Sequence, residues 1–328
     1  MNKLSVIDLF AGCGGLTWGF VKQGFQIVKT VEHWPDAIAT YNLNFKTNYK
    51  PLDISDPLVF NDLKQTKADL IIGGFPCQGF SMAGKRHQND PRNQLYRYVI
   101  DLIILVQPQV AILENVKGIL SYREADGTLV VDKIKTLLAK QGWTVQANLL
   151  NSVNFNVAQK RQRVIFVISQ DQALVKTISN QLLNYQCANK LNVKDVIGDL
   201  TNVKHNAINA HLITNHQADF TKKLAKLKPM QSLYPTYQDA FKRLAWDQPS
   251  PTVKENHGGV FVHPDLPRVC TPRELARLQS FPDNFIFCGS KSAILKQIGN
   301  AVPCQMAKMI AKIAKTALLN NNIKSKLI

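Results

Sequence analysis

The sequence lacks several features that would place it in other classes of protein. It has no uninterrupted apolar run of about 18 residues, so a membrane-spanning helix is excluded. Its six cysteines form no C-x-x-C pair and no Cys/His group with zinc-finger spacing, so no metal site is predicted. An acidic residue, Asp8, follows the start too closely for a secretory signal peptide. We therefore expect a cytosolic protein with reduced thiols.

Acidic residues are also scarce relative to basic ones. The chain has 328 residues, of which 40 are Lys or Arg and 23 are Asp or Glu, giving a formal net charge of +17. An excess of this size favours a polyanionic partner such as nucleic acid, although a basic surface kept for solubility has the same composition. The length and a hydrophobic share of 45% predict two folded domains of roughly 150 residues each.

Apolar runs alternate with helical patterns through the first half of the chain, which is typical of an α/β protein. Such alternation implies a parallel sheet covered by helices on both faces, with ligands bound at the carboxyl ends of the strands. Because Glu32, Cys77 and Glu114 each follow a predicted strand, we expect them to converge at that edge. The predicted strands are 4–10, 26–31, 70–72, 110–113, 144–150 and 164–169, and the predicted helices are 16–22, 35–45, 96–106 and 131–141.

The regular alternation stops near residue 184. Residues 200–245 are rich in lysine and histidine without clear periodicity, so they predict a second, smaller and basic module. A short helix is predicted at 272–280, and the helix that opens at Pro303 has an apolar face that can pack on the main sheet. The predicted division is 1–184 plus 284–328 for one domain and 185–283 for the other.

A glycine-rich turn follows the first predicted strand. Gly12 and its neighbours let a ligand approach the backbone, Glu32 can accept ribose hydroxyls, and Asp53, placed where a third strand would end, can accept from an adenine amine. A nicotinamide-binding turn would need a third glycine where Thr17 stands. The pattern therefore favours an adenosyl ligand without a pyrophosphate, with a ligand-free glycine turn as the alternative.

A candidate nucleophile lies in the segment 73–81. Cys77 follows a proline at a strand end and is flanked by glycines, and nearby basic residues would increase its thiolate fraction. Glu114, at the end of another strand, can hold or deliver a proton. Arg161 and Arg163 share one face of a strand by alternation, so both are expected to point into one cleft.

These motifs, taken in order, resemble those of bacterial DNA (cytosine-5)-methyltransferases over nearly the whole chain. The resemblance implies a Rossmann-like, S-adenosylmethionine-dependent methyltransferase sheet with a smaller basic target-recognition domain. Two positions depart from the family pattern, because His33 stands where the family often has an aromatic residue and Leu52 replaces a glycine common before Asp53. The matching positions are 8–15, Glu32, Asp53, 73–81, Pro91, Arg92, Leu95, 114–116, 159–163, 273–282 and 298–303.

By this resemblance, the Cys77 thiolate adds to carbon 6 of a cytosine flipped out of the duplex, which makes carbon 5 nucleophilic. Glu114 is implied to stabilise protonation at ring nitrogen 3, and Arg163 to contact the base carbonyl with Arg161 in support. Carbon 5 then takes the methyl group of S-adenosylmethionine, and loss of its proton and elimination of Cys77 restore the ring.

The resemblance also assigns ligand contacts. The loop 78–94 resembles the family's lid over the flipped base, and the variable segment 185–270 is expected to read the target, its lysines contacting phosphates rather than bases. Arg268 is a further candidate base reader in that segment. The implied cofactor contacts are Phe10, Gly12, Glu32, His33, Asp53, Pro76, Leu95 and Asn300. The implied DNA contacts are Ser81, Lys85, Arg86, Arg92, Arg243 and Asn256.

Double-stranded DNA is the implied substrate, and a cognate restriction endonuclease is the implied functional partner in the bacterial cytoplasm. A monomer is the family default. The alternative is a tRNA cytosine-5 methyltransferase, although the long basic segment favours duplex DNA. A catalytically silent DNA-binding protein is a further alternative, which the intact Cys77, Glu114, Arg161 and Arg163 oppose. A nicotinamide oxidoreductase is disfavoured by Thr17.

Overall fold

A computed structural model of the protein describes residues 3–76, 94–236, 240–255 and 261–324. A six-stranded sheet forms its centre, with strands β1 (Ser5–Leu9), β2 (Gln26–Val31), β3 (Leu70–Gly73), β4 (Val110–Val116), β5 (Thr144–Asn151) and β6 (Gln162–Ser169). The strand order is β2-β1-β3-β4-β6-β5. The pairs formed among β1, β2, β3 and β4 are parallel, whereas β6 is antiparallel to both β4 and β5.

Strand β6 corrects the expectation of a wholly parallel sheet. Residues 152–161 join β5 to β6 and contain a short 3-10 turn but no crossover helix. A parallel return needs a crossover of about a dozen residues or more, usually with a helix, so this short connection returns the chain antiparallel. The mixed α/β class itself is confirmed.

Proline residues and side-chain caps explain where several helices in the described residues begin. They are α1 (Gly15–Lys22), α2 (Pro35–Phe45), α3 (Pro57–Gln65), α4 (Leu95–Val106), α5 (Val130–Ala139), α6 (Gln172–Asn184), α7 (Val193–Ile197), α8 (Ala218–Ala225), α9 (Pro272–Leu278), α10 (Lys291–Asn300) and α11 (Cys304–Lys324). Proline opens α2, α3 and α9, where a missing N–H is no loss. Asp56, Asp171 and Ser290 accept from the first turns of α3, α6 and α10. None of the helices in this part of the chain is long and apolar enough to cross a bilayer.

These helices cover both faces of the sheet. One apolar cluster joins α1, α6 and α11 to one face, and a second joins α3, α4 and α5 to the other. Along β3, Leu70 and Ile72 belong to the first cluster and Ile71 to the second, as the strand period requires. Because both faces are buried, polar side chains can meet a ligand only at the strand ends and in the loops.

A third apolar cluster packs the predicted recognition domain, residues 185–283, against the main body. It contains Leu244 and Leu278 together with Cys13, Ile298 and Cys304. The same predicted domain contributes α7, α8, α9 and a two-stranded sheet of β7 (Lys242–Arg243) and β8 (Phe261–Val262). Because this cluster crosses the predicted boundary between residues 283 and 284, the division into two domains stays a prediction.

Candidate active site

The chain turns between β1 and α1 on residues with left-handed backbone. Phe10, Gly12 and Gly14 have φ values of 56°, 57° and 94°, and Ala11 N donates to Val31 O (3.1 Å) to hold the turn against β2. A positive φ costs Phe10 about 1–2 kcal/mol, so the surrounding contacts impose it. A Cβ built on Gly12 would meet no atom within 4 Å. This glycine therefore borders open volume, where ligand atoms can approach the backbone.

Glu32, immediately after β2, is fixed beside this turn. Its Oε2 accepts the N–H of Gly12 (2.8 Å), and its Oε1 accepts the N–H of Trp34 (2.7 Å). The residue is buried, with 7% exposure. These two N–H groups fix the orientation of the carboxylate, and its remaining lone pairs can accept hydroxyl groups of a ligand.

His33 lies on the solvent side of this carboxylate. Its Nδ1 is 3.2 Å from Glu32 Oε1, while its side chain is 70% exposed. The hydrogen bond to Glu32 raises the pKa of His33, against the opposing effect of partial burial. The imidazole is therefore held next to the candidate ribose acceptor while most of its surface stays exposed.

Asp53 does not end a third strand, because residues 46–56 form irregular chain between α2 and α3. The segment touches the sheet through one backbone bond, in which Leu52 N donates to Glu32 O (2.8 Å). That bond places Asp53 near Glu32 without a strand. Asp53 Oδ1 accepts the N–H and the hydroxyl of Ser55 at 2.8 and 2.7 Å. These bonds lower the pKa of Asp53, so its exposed carboxylate is ionised at neutral pH.

The end of α10 lies against the same glycine turn. A Cβ on Gly15 would be 2.6 Å from Val302 O, so the backbone beyond α10 packs directly on the start of α1. Asn300, the last residue of α10, is exposed there. Pro76 and Leu95 are both partly buried and lie on either side of residues 77–93, which are outside the described residues.

Glu114 and Arg163 form an ion pair between β4 and β6. Arg163 Nε lies 2.8 Å from Glu114 Oε1, with side-chain exposures of 12% and 11%. The two residues are diagonal neighbours in the antiparallel ladder, where Arg163 is opposite Val116 and Glu114 is opposite Ile165. Pairing with β6 extends β4 to Val116, so Glu114 lies within its strand rather than after it.

The backbone that leads towards Cys77 is fixed against Glu114. A Cβ on Gly74 would lie 3.2 Å from Glu114 Oε2, so a larger residue there would press on the carboxylate. Asn115 Nδ2 donates to Phe75 O (3.1 Å). The described chain therefore reaches Pro76 next to the Glu114–Arg163 pair. Six predicted site residues lie outside the described residues: Cys77, Ser81, Lys85, Arg86, Arg92 and Asn256.

Arg161 does not share the surroundings of Arg163, contrary to the expectation that both point into one cleft. It is 1% exposed, its Nη1 donates to Val253 O (2.8 Å), and its Nη2 donates to Gly299 O (2.9 Å) and Ala301 O (3.0 Å). Alternation along the strand could not show this, because Arg161 precedes β6 and its partners come from distant segments. The geometry gives Arg161 a positioning role.

Arg243 does not lie where DNA can reach it, which corrects its assignment as a DNA contact. It is 4% exposed and donates to Leu224 O, His263 O and Pro264 O, each at 2.7 Å. The candidate base reader Arg268 is also buried and forms a bidentate pair with Glu274 at 2.7 and 2.9 Å. Asn256 lies outside the described residues.

Sequence reasoning missed the roles of several buried polar groups. Asp8 is fully buried and accepts the hydroxyl of Thr17, and burial raises its pKa to about 7. Gln159 and Gln279 are likewise fully buried. An acid inside an apolar strand was a visible signal for Asp8, but the glutamines gave none before their partners were known. Within the described ranges, no group of His, Cys, Asp and Glu is arranged to hold a metal ion.

Comparison with known proteins adds to this geometry. A family model for C-5 cytosine-specific DNA methylases matches residues 4–316. The chain is 34% identical to the type II methyltransferase M1.HphI of Haemophilus parahaemolyticus, covering 94% of this chain and 86% of that protein. It is 33% identical to the type II methyltransferase M.NgoFVII of Neisseria gonorrhoeae, covering 95% and 86%.

Solved structures share the fold over almost the whole chain. A structure described as a prophage-encoded DNA modification methyltransferase of E. coli has a TM-score of 0.77 and 26% identity, covering 96% of this chain and 99% of that one. The Entamoeba histolytica methyltransferase EhMeth has a TM-score of 0.70 at 16% identity, covering 97% and 99%, which is a likeness of fold alone.

Proposed function

Because the chain belongs to the C-5 cytosine-specific DNA methylase family and is an enzyme of its type II class, we propose that it methylates one cytosine within a short duplex sequence by covalent catalysis at Cys77. The observation that carries this proposal is the Glu114–Arg163 ion pair next to the backbone that leads to Cys77. A nucleophile, a carboxylate and a cation at one strand edge are the groups that such a reaction needs.

In the proposed mechanism, the Cys77 thiolate adds to carbon 6 of cytosine, and the ring electrons shift so that carbon 5 becomes nucleophilic. Glu114 stabilises protonation at ring nitrogen 3 as negative charge builds in the ring. Arg163, oriented by Glu114, donates to the base carbonyl and stabilises its developing charge. Once carbon 5 carries its methyl group, loss of the carbon-5 proton and elimination of the thiolate restore the ring.

S-adenosylmethionine, which the family generally uses, supplies a methyl group on a positively charged sulfur. The first turn fits such a ligand, because Gly12 borders open volume and the Glu32 carboxylate is fixed to accept ribose hydroxyls. The exposed Asp53 carboxylate beside it is proposed to accept the adenine amine. The other proposed cofactor contacts are Phe10, His33, Pro76, Leu95 and Asn300.

Base flipping is proposed because a cytosine stacked in a duplex cannot present carbon 6 and its nitrogen edge to these groups together. Unstacking costs a few kcal/mol and must be offset by contacts to the base and the phosphates. Ser81, Lys85, Arg86, Arg92 and Asn256 remain the proposed DNA contacts.

Duplex DNA is the proposed substrate, and the tRNA alternative is not favoured. The matching family is one of DNA methylases, and the curated relatives that cover most of the chain are described as type II methyltransferases. We propose that the enzyme acts as a monomer and protects host DNA from an endonuclease that cleaves the same sequence.

Bisulfite sequencing of DNA from a host that expresses the protein tests the activity and identifies the target. The expected result is one short sequence in which a single cytosine resists conversion. Conversion at every cytosine, or methyl transfer from labelled cofactor to tRNA but not to duplex DNA, would contradict the proposal.

Replacement of Cys77 tests the covalent step. The Cys77→Ser variant should lose methyl transfer while retaining duplex binding, since the hydroxyl is a far weaker nucleophile. The wild type should form a denaturant-stable adduct with a duplex that carries 5-fluorocytosine at the target, because fluorine cannot leave as the carbon-5 proton does. A wild-type protein that methylates DNA but forms no adduct would rule out this route.

A further inference from the structure

Three buried polar side chains, Gln159, Arg161 and Gln279, form one hydrogen-bonded cluster, which we call the buried clamp. Their exposures are 0%, 1% and 0%. Gln159 Nε2 donates to Gln279 Oε1 (2.9 Å), which joins the two amides. Arg161 and Gln279 both donate to Ala301 O, at 3.0 and 3.2 Å, which joins the guanidinium to the same unit.

The clamp holds the backbone of the predicted recognition segment at Val253. Val253 N donates to Gln159 Oε1 (2.8 Å), and Val253 O accepts from Arg161 Nη1 (2.8 Å). Lys160 N also donates to Ser250 O (2.7 Å), and Thr252 Oγ1 donates to Lys160 O (2.9 Å). The segment is therefore tied to the chain that enters β6, shortly before Arg163.

The same clamp holds the end of α10. Gln279 Nε2 donates to Ile298 O (2.7 Å), and Arg161 Nη2 donates to Gly299 O (2.9 Å). Together with Ala301 O, these carbonyls flank Asn300, a proposed cofactor contact. The two held segments also touch directly, because a Cβ on Gly299 would lie 2.3 Å from Glu255 N and 2.4 Å from the carbonyl carbon of Lys254.

Because the polar groups of the buried clamp have no access to water, a change at one of them affects the others. A buried polar group that loses its partner pays the full cost of its desolvation, so a shift of Val253 that broke its bonds would be opposed at Gln159 and Arg161 together. Both side chains also connect, directly or through Gln279, to the end of α10. A change in the position of either held segment is therefore transmitted to the other through bonds that are costly to break.

We propose that the buried clamp couples duplex recognition to cofactor binding, with Gln159, Arg161 and Gln279 as positioning residues. The inference rests on the proposed function, because it takes the recognition segment as the DNA-binding part and Asn300 as a cofactor contact. DNA bound at the recognition segment stabilises the arrangement of 298–301 that holds the cofactor. By thermodynamic reciprocity, bound cofactor strengthens duplex binding by the same factor.

The coupling is measured as a ratio of binding constants. The dissociation constant of S-adenosylhomocysteine is measured without DNA and with a saturating duplex that carries the target identified by bisulfite sequencing. The wild type should bind about fivefold or more tightly with the duplex, as is typical of coupled sites. Gln279→Met removes both donors to the end of α10 at similar volume, and it should reduce the ratio to within about twofold of unity.

Gln297→Met is the matched control. Gln297 is also a nearly buried glutamine, and its amide donates to Cys288 O (2.9 Å) outside the clamp. This variant should lose comparable stability while retaining the wild-type ratio. If Gln279→Met does not fold, Thr252→Val tests the same link from its exposed side and should also lower the ratio.

A wild-type ratio near one would overturn the inference, as would a folded Gln279→Met or Thr252→Val protein that keeps the full ratio. These outcomes are distinct from failure of the proposed function. In that case the wild type would methylate no cytosine in duplex DNA, whereas failure of the coupling alone leaves methylation intact and the ratio unaffected by the clamp.

Discussion

At the scale of single residues, substitution of Gly12 would affect both the backbone conformation and the proposed ligand volume. Its φ of +57° favours glycine, yet its missing Cβ would meet nothing within 4 Å. Gly12→Ala should therefore cost about 1 kcal/mol of stability through the backbone and place a methyl group in the proposed cofactor volume. We expect the affinity for S-adenosylhomocysteine, measured by calorimetry, to fall at least about tenfold, which is 1.4 kcal/mol.

Gly127 provides the matched control for this substitution. It has a φ of +79° and also nothing within 4 Å of a built Cβ, but it lies in the turn before α5. Gly127→Ala should shift the melting temperature by a similar amount and leave the affinity unchanged. An equal loss of affinity in both variants would show that the first turn is not the cofactor site.

Single residues also show how much of the candidate site could be predicted from the sequence. Glu32, Glu114 and Arg163 could be chosen because each lies at or near one end of an apolar run, where a sheet exposes its polar groups. Arg161 resembles Arg163 in the sequence but is buried among carbonyls of distant segments. Its role depends on which loops pack together after folding, and no local pattern encodes that.

At the scale of elements, the sequence predicted the six strands of the main sheet and the helices α1, α2, α4 and α5, because period and turn residues are local signals, but it missed α3 and α6. It predicted the wrong direction for β6, because direction depends on whether the connection crosses the sheet. It also predicted a strand before Asp53. The chain forms no strand there, so β2 is the edge strand of the sheet on that side. These errors concern pairing between segments, which periodicity does not report.

Gly19 in α1 shows how element packing reverses a local preference. Alanine in a helix interior is normally favoured over glycine by about 1 kcal/mol. A Cβ on Gly19, however, would lie 2.3 Å from the backbone carbonyl carbon of Ala307 in α11. Gly19→Ala should push α1 away from α11 and lower the free energy of unfolding by about 1–3 kcal/mol, measured by urea denaturation.

Gly198 is the control for this prediction. A Cβ there would meet only Lys194 Cγ at 3.5 Å, an ordinary contact with a flexible side chain. Gly198→Ala should therefore leave the stability unchanged or slightly raise it. A Gly19→Ala protein as stable as the wild type would mean that the two helices do not pack as closely as described.

At the scale of the whole molecule, two buried groups make stability depend on pH with opposite signs. Burial lowers the pKa of His263 from 6.5 to about 4, so on acidification the unfolded chain takes up its proton first and stability is lost between about pH 6.5 and 4. Burial raises the pKa of Asp8 from 3.8 to about 7, so the folded chain takes up its proton first and stability is gained between about pH 7 and 3.8.

Substitution separates these two effects, each on the order of a few kcal/mol. Asp8→Asn should make stability fall more steeply on acidification, and His263→Asn should make it fall less steeply, in thermal melts from pH 7 to 4.5. His211 and His216, whose pKa values burial also lowers, remain as a shared background in both variants. Parallel pH profiles for wild type and both variants would contradict the burial assigned to these groups.

The net charge of +17 makes duplex binding sensitive to salt, and the position of the lysines decides how sensitive. Lys222, Lys223, Lys226 and Lys228 are exposed on and just after α8 in the predicted recognition segment. Each phosphate contact contributes about 0.9 to the slope of log affinity against log salt. Changing all four to Gln should therefore reduce the slope by up to about 3 to 4 units in fluorescence anisotropy titrations.

A second quadruple variant tests whether position or total charge is responsible. Lys64, Lys67, Lys135 and Lys140 are exposed on or just after α3 and α5, which cover the main sheet, and changing them to Gln removes the same charge. If α8 contacts phosphates, this second variant keeps nearly the wild-type slope. Equal reductions would show that affinity follows net charge alone, and a larger reduction in the second variant would place the duplex on the α3–α5 face. The choice between these outcomes fixes which side of the molecule the DNA approaches.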